Sequence, residues 1–429
     1  VPVGKRDARD DPAELGALTT VRAPAVAFIL VTIVLDVLAF GIVAPVLPRL
    51  IVDFQGGDTA TAAETYGLFA VAWAAMQFVF SPVLGMLSDR FGRRKVLLLS
   101  LVGLGLDYVL MALAPTLLWL FVGRVISGIT AATYSTAAAY IADVTPPEQR
   151  AAKFGLIGAA WGIGFIAGPA LGGVLGEVDP RLPFWVAAAL TLANALYGWF
   201  VLPESLPPEQ RAQRFEWRKA NPLGALALVR SRPGLTGLVA VQTFYVVAHY
   251  ALPSVFVLYA GYRYDWGARE VGLTLAFVGL CTAIVQGVLV GPAVRALGER
   301  RAVLVGLAAG TVSYFVYAVA PTGAWLLAGI PIGAFFGLYG PAAQALMTQR
   351  VAAGEQGRLQ GVNGSVMGLV GLFAPALFTF AFASAIRPGA GVHVPGMPFY
   401  LAAALTLVAL ALALCVARPL AAAGAAEPR

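Results

Sequence analysis

Three ionisable residues stand where an apolar chain should carry none: Asp36 in TIVLDVLAFGI, Asp107 in LGLDYVLMA and Arg124 in LFVGRVISG. Taking a carboxylate out of water disfavours its charged form, which lets such a group bind and release a proton reversibly. A lone cation at membrane depth costs at least ~2.5–3.5 kcal/mol on insertion scales, so Arg124 needs a partner or a water-filled space. For each residue two readings stay open: a step on a proton path, or an ion pair or local hydrogen bond that serves only the fold. Asp143, in YIADVT, reads as a helix-end ion pair with nearby Arg150. No HExxH, Ser/Lys dyad or metal-ligand cluster occurs, so neither catalysis, a metal nor a cofactor is expected.

Two glycine-bearing motifs look conformational. In GMLSDRFGRRK, Gly85 and Gly92 permit a tight turn, and Asp89 can accept from Arg90, Arg93 or Arg94 or face a helix N-terminus. This loop reads as a latch, against the plainer reading of a basic loop. Farther on, Gly155, Gly164, Gly168, Pro169, Gly172 and Gly173 recur in one apolar run. Gly164 and Gly168 give a small-xxx-small face for close helix contact, and Pro169 makes a bend. Gly164, Gly168 and Pro169 are expected to lie where this helix meets a helix of the other half near the closed outer gate.

Other polar groups inside apolar runs are candidates for holding a ligand. They are Gln77, Gln242, Gln286, Gln344, Asn363 and His249, with Tyr134, Tyr245 and Phe336 among rather many aromatics. Helix–helix hydrogen bonding and ordinary packing compete with that reading. Cys281 and Cys415 have no metal spacing and read as buried hydrophobes.

The elements that must position these groups are transmembrane helices. Apolar residues make up 59% and charged residues 12% of 429, about half the usual charged share of ~25%. The net charge of +7 comes without a basic stripe or an aromatic–basic module, so nucleic acid is not an expected partner. The polar opening stretch lacks the apolar core of a signal peptide. Runs long enough for a ~30 Å hydrocarbon core fall near 24–47, 65–85, 95–114, 117–142, 153–176 and 183–202. Six more follow near 233–258, 269–290, 301–320, 323–348, 358–382 and 397–417. With the N-terminus inside, Lys and Arg divide 23 inside against 5 outside, Arg124 being within a span. That bias predicts both termini in the cytoplasm.

The reading is therefore an all-α polytopic protein of two six-helix bundles, 24–202 and 233–417, with a cytoplasmic loop at 203–232 and cytoplasmic tails at 1–23 and 418–429. GMLSDRFGRRK after the second span and GPAVRALGERR after the eighth are related text. Such a repeat places a binding site between the bundles near the midplane.

From Leu35 to Arg418 the chain resembles the drug:proton antiporter branch of the major facilitator superfamily, and within it the tetracycline efflux proteins. The likeness rests on LDVLAFGIVAPVLPRL, the 85–95 loop, GRVISGITAAT, YIADVT, GPALGG, LPES and GRLQG. It implies export of an amphipathic small molecule against protons by alternating access, in a bacterial inner membrane, from a monomer without cofactors. It assigns Arg124, Asp36 and Asp107 to the proton path and the fifth-span glycine–proline string to antiport. The chain departs from those pumps where they carry an acid in the ninth span and a histidine in the eighth: Gly310 and Thr282 stand there. Arg295 likewise stands where the second loop copy would carry an acid. A nutrient symporter on the same scaffold is the competing reading.

Overall fold

The computed structural model describes residues 12–131, 133–211, 229, 234–351, 355–389 and 393–417. Ten helical runs among them are long and apolar enough to cross a bilayer. One, Ala268–Val319, has 52 residues. As one straight helix it would be about 78 Å long, far more than a ~30 Å core accepts. It breaks at Gly298, whose φ of 74° and ψ of 160° belong to no helix, and so supplies the eighth and ninth spans. Leu117–Thr130 and Thr133–Val144 together make the fourth. The described residues thus hold the twelve expected spans.

The others are Ala27–Phe54, Thr59–Phe91, Arg93–Leu113, Leu156–Val178 and Leu182–Val201 in the first half. Leu235–Tyr264, Gly323–Thr348, Arg358–Ile386 and Met397–Val416 complete the second. Several are broken. The first pauses between Val43 and Leu47, the eighth carries a π-helical turn at Val285–Leu289, and the eleventh is interrupted between Gly371 and Ala374. Such breaks survive in a bilayer only where neighbouring protein or a water-lined space answers the freed backbone groups.

The repeat is visible in atomic detail. Gly92 has φ 102° and ψ 150°, and Gly298, its counterpart in the second copy, adopts nearly the same pair. Both lie in the region where a side chain would be strained, so both copies need glycine to turn one span into the next. Two residues on, Arg94 donates to the carbonyl of Trp199 near the end of the sixth span. Arg300, its counterpart, donates to the carbonyl of Leu414 near the end of the twelfth, at 3.2 Å.

The fifth span divides its glycines between two neighbours. Gly164, Gly168 and Gly172 face the first span, inside the same half. A Cβ on Gly168 would lie 2.7 Å from the Cα of Gly41, and one on Gly172 would run into the carbonyl of Ile42. Gly173 instead faces the eighth span: its Cβ would lie 3.0 Å from the Cα of Gly272, and a Cβ on Gly272 would strike the carbonyl of Pro169. The expectation that Gly164 and Gly168 meet the other half is corrected. Their spacing is right for close approach, but the turn of the helix aims them at the first span and leaves Pro169 and Gly173 for the second half. Cys415 is also corrected: it is exposed on the twelfth span, while Cys281 is half-buried, and both are free.

Gly168→Leu should therefore damage the first half itself. Overpacking typically costs ~1–3 kcal/mol, so its melting temperature in detergent should fall well below that of Gly158→Leu, where an added side chain meets open space. Equal melting temperatures would show that the contact carries no stability.

Candidate functional site

The three intramembrane charges converge in the first half. Asp107 is buried, and neither carboxylate oxygen has a hydrogen-bond partner among the described residues. Oδ1 of Asp36 is enclosed and equally unpartnered. Gly123 lets the fourth span approach the third here: a Cβ on it would lie 2.8 Å from Oδ1 of Asp107. Arg124 follows at once. Asp107, Tyr66 and Tyr108 lie near it. Among the described residues no ion pair joins Arg124 to either acid; its Nε is buried and unpartnered, and Nη2 reaches only Sδ of Met111 at 3.8 Å.

What answers Arg124 is a cavity of about 730 Å³ between the halves. Phe40, Tyr66, Trp73, Gln77, Phe78 and Arg124 form the wall from the first half. Phe40 and Trp73 stack at 6.3 Å with their planes 30° apart. Tyr250, Pro253 and Ser254 of the seventh span and the glycine-rich face of the eleventh form the opposite wall. Arg124 is the one charged residue among the described lining residues, on a surface that is otherwise mostly apolar and aromatic, with Gln77 and three serines as its uncharged polar groups. Such a chamber suits an amphipathic ligand that offers a hydrogen-bond acceptor to the guanidinium.

All seven predicted ligand residues of the second half lie elsewhere. Tyr245, His249 and Phe336 join a ring cluster: Tyr245 stacks on Tyr339 at 4.0 Å, and His249 stacks on Tyr245 at 5.8 Å. Phe336 is buried against Gly310, where a Cβ would strike its ring. An acid at position 310 would have no room, which accounts physically for that departure from the efflux pumps. Asn363 donates to Gln344 at 2.7 Å, tying the eleventh span to the tenth. Gln286 sits in the π-turn beside Gly337, and Gln242 is half-buried on the seventh span; neither lines the chamber. The side chain of Tyr134 lies outside the described residues.

The ends of the molecule differ. At one end the halves meet through Gly173 and Gly272, through Gly67 against Thr379, and through an ion pair between Arg387 and Glu64 at 2.6 Å. Toward the other, an added Cβ on Gly158, Gly162 or Gly287 would meet nothing. Among the described residues, the halves touch at the Arg387 end, whereas at these three glycines toward the Arg93 end no atom stands within 4 Å of an added Cβ.

At the Arg93 end the 85–95 loop is bound within its own half. Arg93 pairs with Asp89, donates to Oγ of Ser88 at 2.8 Å and reaches Asp143 at 3.0 Å. The side chain of Arg150, the partner that the sequence suggests for Asp143, lies outside the described residues. Arg90 rests over the ring of Phe91 at 5.3 Å. Glu204 is the residue that sequence reasoning missed. Its Oε1 accepts from the backbone of Arg93 at 2.9 Å, Ser205 at 3.0 Å and Leu206 at 3.2 Å. A helix start leaves donors free and favours negative charge, so Glu204 caps the third span. The signal was a carboxylate just past the sixth span, in LPES.

A sequence match to the Major Facilitator Superfamily spans residues 29–375 and again 248–428. The chain belongs to that superfamily. It is accordingly a membrane transporter and not an enzyme. Among superfamily relatives, the tetracycline resistance protein, class C, of Escherichia coli is 38% identical over 386 residues, 89% of this chain and 94% of that protein. The human organic anion transporter MFSD10 (TETRAN) superposes with a TM-score of 0.66 at 25% identity, over 91% of this chain and 99% of that one. The nucleoside transporter NupG gives a TM-score of 0.74 at 12% identity, over 92% and 99%, and shares the superfamily fold.

Losing the cap should cost about 1–2 kcal/mol, so Glu204→Ala should lower the melting temperature in detergent. Glu204→Gln, which keeps an acceptor, should recover part of the loss. A wild-type melting temperature in Glu204→Ala would reduce the carboxylate to a bystander.

Proposed function

We propose that this transporter exports amphipathic small molecules, tetracycline-like compounds among them, in exchange for protons. The carrying observation is the juxtaposition of chamber and charges: Arg124 on the wall, with the unpartnered carboxyl of Asp107 close to it and the enclosed, unpartnered Oδ1 of Asp36 in the same half. Substrate in the chamber and protons on the acids alter the surroundings of one guanidinium, and that shared neighbour couples them. The role of Arg124 in this exchange is to position the acids. The likeness to tetracycline resistance proteins over most of both chains supports a drug as cargo.

The distribution of Lys and Arg supports placing the Arg93 end and both termini in the cytoplasm of a bacterial inner membrane. The chamber is then open inward, ready to load substrate. Residues 24–202 and 233–417 act as the two rocking bodies, the 203–232 loop joins them, and one chain suffices. The Asp89–Arg93–Asp143 cluster and the Glu204 cap hold the cytoplasmic end of the first half together, while Pro169 and Gly173 against Gly272 seal the outer gate.

Everted vesicles driven by a proton gradient should accumulate tetracycline, and a protonophore should abolish the accumulation while ATP is still present. Asp36→Asn should bind tetracycline yet lose active accumulation. Accumulation that follows ATP and ignores the protonophore would refute proton coupling, and tetracycline movement in the opposite direction would favour the symporter.

A further inference from the structure

The eleventh span turns glycines toward the chamber at Gly361, Gly364, Gly368 and Gly371. Inside a helix glycine is a poorer former than alanine, so each calls for a reason. Two have one in the protein: a Cβ on Gly368 would lie 2.5 Å from the ring of Phe78, and one on Gly371 would lie 3.1 Å from the hydroxyl of Tyr250. Gly364 has none. It is exposed, it lines the chamber, and a Cβ built there meets no atom within 4 Å. Its φ is also not of the kind that requires glycine. Neither packing nor backbone strain accounts for the missing side chain.

What a side chain at 364 would occupy is ligand space. The opposite wall is aromatic, with Phe40 stacked on Trp73 and Phe78 beside them. The chamber thus lies between a glycine-rich stretch of the eleventh span, with Ser365 and Met367 beside it, and an aromatic wall that touches that span at Gly368 and leaves Gly364 clear. We infer that Gly364 is a specificity-determining position, whose bare backbone admits one face of a fused-ring amphiphile while the aromatic wall takes the other. Ligand thickness is then what the site measures. The inference rests on the reading that this chamber holds the exported molecule.

One rival is that Gly364 is bare for packing in the opposite access state. Packing of that kind would change the binding of all ligands alike, whereas a thickness filter separates them by shape. The test uses purified full-length protein and two probes, tetracycline and its flatter relative anhydrotetracycline, with binding read by fluorescence. One added carbon in a tight apolar site weakens binding roughly tenfold or more. Gly364→Ala should therefore lose about tenfold in affinity for tetracycline and distinctly less for anhydrotetracycline, and Gly364→Val should widen that gap. Melting temperatures should hold or rise, since alanine favours the helix. Gly340→Ala, also in open space but away from the chamber, controls for helix propensity and should bind both probes as the wild type does. Equal losses for the two probes, or no loss in Gly364→Val, would overturn the inference while leaving the chamber as the binding site. Should the wild type bind neither probe, or bind them without protecting a cysteine placed at Ser254 in the chamber wall, the chamber reading and the inference fall together.

Discussion

A charge held within a bilayer must be answered by another group or by water, and the site is organised around how Arg124 is answered. An ion pair would neutralise it and leave nothing to exchange. Instead Gly123 brings the third span close, so that Asp107 lies near Arg124 without bonding it. The guanidinium then borders a chamber between the halves. An unmade bond in a low-dielectric place is expensive. In the exchange proposed above, that cost would leave Arg124 responsive both to the protonation of its acids and to whatever enters the chamber.

Close backbone contact gives the charges a stable frame. The first and fifth spans meet glycine to glycine, so that backbone packs directly on backbone in one wall of the first half. The next turn of the same helix meets the eighth span at Gly272. One helix therefore serves as internal strut and as outer seam, with Pro169 between the two duties. Motion that parts the seam need not disturb the strut, because the two contacts lie on different sides of the helix. At the far end Glu204 and the Asp89–Arg93–Asp143 cluster keep the loop with its own half.

Much of the fold was legible because apolar run length is decisive in a bilayer. Twelve spans, the repeated loop and the three intramembrane charges all stood out, and Gly92 and Gly298 show that the repeat reaches backbone torsions. Direction around each helix was not legible. These helices are apolar on almost every side, so sequence gives no polar face from which to orient them. Tyr245, His249, Phe336, Gln344 and Asn363 were accordingly assigned to the chamber, but they pack or hydrogen-bond among the second-half helices. The same ambiguity turned Gly164 and Gly168 toward the wrong partner and left Cys415 exposed. Glu204 and the Glu64–Arg387 pair escaped for another reason: their partners are distant in sequence, and only folding brings them together.

Exchange requires that loading substrate drive protons off the acids beside Arg124. Purified protein in lightly buffered solution, with a pH-indicating dye, reports this directly. Adding tetracycline should release protons in step with its binding, and Asp36→Asn should bind with a smaller release or none. Binding accompanied by proton uptake, or by no change in free protons at any pH, would contradict the account.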